Sequence, residues 1–144
     1  VSRRFFTAGS IVLLALGLVH LLGHYSLVTG TGDNEAERQL LSAMRGYRRD
    51  MGAGFAPSTM DILSGFSLTF SVLPLGLGLL GLVLRRHAGV PGLLRAAATV
   101  YAGTFGIMTG VAWRYWFPAP LVFLAAAFAC FALALARAGR ARAA

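Results

Sequence analysis

His20 and His24 stand four residues apart in an otherwise apolar stretch, so in a helix both imidazoles leave from one face. A neutral imidazole inside a membrane helix offers a nitrogen lone pair to haem iron, to a chlorin magnesium or to another metal. Two ligands on one face cannot clamp a haem from opposite sides, and the third histidine, His87, follows a different apolar block on the opposite side of the expected topology. A pigment held by a single axial ligand is geometrically easier. The alternative is that His20 hydrogen-bonds a hydroxyl or carbonyl of a neighbouring helix while His24 meets interfacial water. The two histidines are thus the candidate cofactor ligands, and the sequence specifies no cofactor.

In light-harvesting polypeptides the ligand histidine usually follows an alanine by four residues. Here Leu16 precedes His20 and His20 precedes His24, so that resemblance fails at its most specific position. A second group of ionisable residues, Arg48, Arg49, Asp50, Asp61 and Arg114, reaches the level of His24 and Tyr25. Asp50 or Asp61 paired with Arg48, Arg49 or Arg114 would staple a loop over the helix ends. The competing use of the same residues is a proton-handling or anion-binding site. No nucleophile with a base and an orienting group is visible, and no metal-ligand spacing or phosphate loop, so the expectation is a protein without catalysis.

The elements that must position these residues follow from hydropathy. The chain has 144 residues, 57% of them hydrophobic, with a mean hydropathy of +0.70. Its apolar blocks are each long enough to cross a hydrocarbon layer of about 30 Å as a helix. The expected fold is all-α: an integral membrane four-helix bundle with helices near 5–28, 59–86, 91–115 and 120–138. The amino-terminal block resembles a secretory signal, but its core is long and Val28-Thr29-Gly30 follows where a small-x-small site would stand, so it is read as a retained helix. Ser58 and Asp61 form a Ser-x-x-Asp capping box at the start of the second block. Pro74 removes a backbone donor from its middle and predicts a kink. Ser64, Ser67 and Ser71 share one stripe of that helix, and Gly103, Gly106 and Gly110 lie near one another on the next, as close helix packing requires.

The loop 29–58 is the one sizeable polar segment. Asn34 followed by Glu37 predicts another capped start, and Leu40, Met44, Tyr47 and Met51 recur at helical spacing, which predicts a short amphipathic surface helix over about 35–49. Acids in its first turn and Arg45, Arg48 and Arg49 in its last would match the helix macrodipole.

Net charge is +8, and all thirteen cations are arginine. A nucleic-acid partner would need a soluble basic face with a reading element, and neither is present. Eight arginines (Arg3, Arg4, Arg85, Arg86, Arg95, Arg137, Arg140 and Arg142) fall on the side holding both termini, against five on the other. The positive-inside rule therefore places both termini in the cytoplasm of a bacterial inner membrane, with loop 29–58 outside. Arg85, Arg86, Arg137 and Arg140 are the expected contacts for anionic lipid headgroups.

The stretch Met44-Arg45-Gly46-Tyr47-Arg48-Arg49-Asp50-Met51-Gly52, followed by Ser58-Thr59-Met60-Asp61 and Gly65-Phe66-Ser67, resembles an uncharacterised family of small bacterial four-helix integral membrane proteins. Tyr115-Trp116-Phe117-Pro118-Ala119-Pro120 resembles that family's last external turn. The resemblance implies topology and transfers no catalytic residue. The function expected is that of a non-catalytic accessory subunit in a larger membrane complex, photosynthetic or respiratory. Its docking wall would be Ala125, Ala126, Ala127, Ala129, Ala132 and Ala134 on the last helix. Pigment or haem binding through His20 or His24 is the competing expectation.

Overall fold

A computed structural model describes residues 1–87, 89–90 and 92–140, without the side chains of residues 138–140. The described chain is all-helical, with five helices and no strand: α1 (Arg3–Thr29), α2 (Glu35–Gly46), α3 (Thr59–Arg86), α4 (Leu93–Tyr115) and α5 (Pro118–Arg140). Three stretches, Arg3–Thr29, Thr59–Arg86 and Pro118–Arg137, are long and apolar enough to cross a membrane. α4 has the length, with 23 residues, but Thr99, Tyr101, Thr104, Thr109 and its glycines dilute its apolar character. α3 runs unbroken through Pro74, although proline cannot donate to the carbonyl one turn back. α5 begins at Pro118, two residues before the expected start, because proline's fixed φ and missing N–H suit a first turn.

The chain divides into two compact units. The first comprises Val1–Leu18 and Leu73–Ala144, and the second Val19–Val72. The core of the first is aromatic. Phe131 of α5 meets Tyr101 and Phe6 edge-on at 4.8 and 5.4 Å between centroids, and Phe105 lies stacked on it at 6.1 Å. Edge-to-face rings align the positive rim of one with the negative face of the other, which adds directional attraction to the packing.

Around that core the helices approach closely where side chains are small. A Cβ placed on Gly78 would lie 2.8 Å from Leu14 Cγ and from the Ser10 carbonyl oxygen, and one on Gly81 would collide with Ser10 Oγ. Ser10 is fully buried, its hydroxyl donating to the Phe6 carbonyl at 3.0 Å. The Tyr101 hydroxyl donates to the Leu77 carbonyl at 2.9 Å, so both of these interior hydroxyls are satisfied. Of the three glycines expected to pack on α4, Gly106 does so, since a Cβ placed on it would lie 3.2 Å from the Phe128 ring, while Gly103 and Gly110 face open space. The spacing of the three is right for a common stripe, but the stripe is wider than the seam with α5.

The second unit holds the end of α1, all of α2 and the start of α3. Asn34 caps α2 by accepting from Glu37 N–H at 2.9 Å, and the Glu37 carboxylate reaches back to Asp33 N–H at 2.7 Å. α2 stops at Gly46, earlier than the expected 49, and Arg45 is the basic residue of its last turn. Arg48 and Arg49 belong instead to a short antiparallel ribbon, with Arg49 N–H donating to Pro57 at 3.1 Å and Thr59 N–H to Tyr47 at 3.2 Å. Gly52, Ala53 and Gly54 all have positive φ and turn the ribbon back on itself. The two flanking glycines make this turn possible, and its cross-ribbon bonds outcompete a further helical turn.

Candidate functional site

The second unit carries most of the residues that could do chemistry. α3 opens on the Ser58–Asp61 capping box, formed in both directions: Ser58 N–H donates to the Asp61 carboxylate at 2.8 Å and Asp61 N–H to the Ser58 hydroxyl at 3.0 Å. The ribbon rests against this first turn. Together they enclose an open groove of about 410 Å³, with Met51, Phe55, Ile62 and Phe66 as apolar walls and Asp61 and Thr69 as polar ones.

Among the described residues, the acids of the expected staple and Arg48 are engaged in local bonds. Asp61 accepts from its own cap, Asp50 accepts from Gly52 N–H at 2.8 Å, and Arg48 donates to the Ala56 carbonyl at 3.0 Å. Arg114 stacks over Tyr115 at 5.1 Å. The one salt bridge among the described residues joins Arg38 to Glu35 at 3.0 Å, on the surface of α2. The physical reason is proximity: a backbone N–H two or three residues away reaches a carboxylate without ordering a long arginine side chain. The loop is tied to α1 by another link, Arg45, whose guanidinium donates to the Gly30 carbonyl at 2.8 Å just beyond the end of α1.

His20 and His24 lie on the part of α1 within this unit, both half-buried. The His20 ring sits 6.2 Å from Phe70, tilted by 54°. His24 Nδ1 is shielded from solvent and has no hydrogen-bond partner. His87 is engaged elsewhere, its Nδ1 donating to the Val83 carbonyl at 3.0 Å in the last turns of α3. No group of three His, Cys, Asp or Glu capable of holding a metal occurs among the described residues. A single axial nitrogen is what this arrangement can offer a cofactor.

The first unit carries nine of the thirteen arginines. Arg3, Arg85 and Arg86 line one cleft of about 370 Å³ together with Leu82. Arg137 instead lies over the Phe5 ring, 4.6 Å from its centroid. Arg140 ends α5 but its side chain lies outside the described residues, as does Arg142. Arg3 joins Arg85 and Arg86 because it starts α1, which runs antiparallel to α3. Of the alanines expected to form a docking wall, Ala127 and Ala134 are buried in the core with Leu124 and Phe131, and Ala129 is exposed.

No protein-family model, curated protein or solved structure matches the chain.

Proposed function

We propose that this protein is a non-catalytic accessory subunit of a larger bacterial membrane complex, crossing the bilayer four times with both termini in the cytoplasm. α4 serves as the fourth span. Its 23 residues reach about 35 Å at 1.5 Å per residue, and its Thr99 and Thr109 hydroxyls are neutralised by carbonyls one turn back. Four crossings return the chain to its starting side, in keeping with the Ser2 N–H bond to the Ala134 carbonyl at 3.0 Å.

The observation that carries the subunit reading is the uncovered apolar surface of the second unit. No described residue of α1 from Val19 to Thr29 is buried. Leu22, Phe66 and Val72 are all more than half exposed. Lipid satisfies such faces, and so do the helices of other membrane subunits, which add van der Waals packing and helix–helix hydrogen bonds. Photosynthetic and respiratory complexes are the assemblies this reading favours. The docking face then lies on α1 and α3, in place of the alanines of α5.

His24 favours a second reading, a pigment or haem carrier, because its shielded and unpartnered Nδ1 is the kind of group that a ligand satisfies. Mild solubilisation followed by native gels and absorption spectra separates the two. Comigration with a large assembly, unchanged in His20→Ala and His24→Ala, is the expected result. Migration only as a small coloured species that loses its absorption in either variant would overturn the subunit reading.

A further inference from the structure

We propose that the cleft between the first turn of α1 and the last turns of α3 binds the phosphate of an anionic glycerophospholipid through Arg3, Arg85 and Arg86. The inference is independent of the accessory-subunit reading, since an isolated chain would hold the same site. All five acidic side chains fall between Asp33 and Asp61, so the unit that contains the cleft has no Asp or Glu. Elsewhere Arg38 pairs with Glu35, Arg45 and Arg48 donate to carbonyls, and Arg114 and Arg137 cover aromatic rings. The guanidinium groups of the three arginines in the cleft make no hydrogen bond and no ion pair among the described residues.

Three like charges facing one cavity repel each other, and an anion among them turns that repulsion into attraction. Guanidinium groups present planar forks that match a phosphate's oxygens two at a time, which lysine cannot do. The site's position selects a lipid over a free anion. Arg3 and Arg86 are the terminal residues of two helices long and apolar enough to span a membrane, so the cleft sits at headgroup depth. Leu82 gives it an apolar wall, and Leu79, Leu80 and Val83 continue exposed along α3 toward the bilayer interior, where acyl chains lie. Phosphate in the cleft and hydrocarbon along α3 together describe one amphiphilic occupant.

The test uses the full chain, delipidated in neutral detergent and titrated in mixed micelles with phosphatidylglycerol or phosphatidylcholine. Native mass spectrometry and the thermal midpoint are the readouts. Phosphatidylglycerol is expected to bind at least tenfold more tightly than phosphatidylcholine. Arg3→Gln/Arg85→Gln/Arg86→Gln should weaken it at least tenfold, while Arg38→Gln/Arg49→Gln/Arg114→Gln, which removes equal charge, should change it less than twofold. Circular dichroism without lipid checks the fold. Should the cleft variant misfold, Arg3→Gln and Arg86→Gln singly carry the test, each with an expected loss of about fivefold. Retention of affinity within twofold in the cleft variants would overturn the proposal, as would equal losses in the control. Inorganic phosphate or glycerol phosphate stabilising the chain as strongly as the lipid would refute the lipid assignment.

Discussion

Gly81→Ala tests the closest helix approach in the first unit. A methyl at this position collides with Ser10 Oγ and lies 3.1 Å from Ser10 Cβ, with Tyr101 Cε2 at an ordinary 3.5 Å. Ser10 cannot swing its hydroxyl aside freely, because that hydroxyl donates to the Phe6 carbonyl at 3.0 Å. Breaking a hydrogen bond of this kind among apolar helices costs about 0.6 kcal/mol, and at most about 1.7. Forcing the helices apart instead costs about 1–3 kcal/mol, the usual range for overpacking. Against either stands the intrinsic preference of a helix for Ala over Gly, about 0.8–1.0 kcal/mol. The difference leaves a net destabilisation of about 0–2 kcal/mol. Gly76→Ala on the same helix is the control, since a Cβ there meets nothing within 4 Å. Only the propensity gain remains at that position, so it should be neutral or stabilising by up to about 1 kcal/mol. Unfolding by sodium dodecyl sulfate in mixed micelles, monitored by circular dichroism, measures both. A double-mutant cycle with Ser10→Gly should recover most of the Gly81→Ala loss as a coupling energy. If Gly81→Ala is as stable as Gly76→Ala, or if Ser10→Gly gives no coupling, the close α1–α3 approach is refuted.

Tyr101→Phe deletes the hydroxyl that donates to the Leu77 carbonyl, and a loss of about 0.6–1.7 kcal/mol is expected in the same unfolding assay. Ser58→Ala removes the acceptor for the Asp61 N–H; a cost of about 0.5–2 kcal/mol is expected, together with faster amide exchange in the first turn of α3. In a Cys130→Ala background, cysteines at Leu40 should react with an impermeant maleimide from the periplasm, and those at Ser2 and Val90 only after the cytoplasm is opened. The reverse labelling pattern would overturn the arginine count.

Much of the fold is legible in the sequence because its cause is local. A long run of apolar side chains whose backbone bonds must be satisfied within the segment leaves the helix as the only solution, so the long helices follow from composition and length. The Asn34 and Ser58 caps were readable for the same reason, since each involves residues three apart. What tertiary structure decided lies between residues distant in the chain. Arg48 and Arg49 continue the helical pattern of α2, yet they join the ribbon once Pro57 and Ser58 offer partners across the turn. Asp50 and Asp61 look like free carboxylates opposite arginines until backbone N–H groups claim them at much smaller entropic cost. Which alanines of α5 face outward depends on where Phe6, Tyr101 and Phe105 place Phe131. Arg3 and Arg85 stand far apart in the sequence. Only the antiparallel course of α1 and α3 brings them to one cleft, because helix pairing is set by side-chain shape at Ser10, Gly78 and Gly81, which hydropathy does not register.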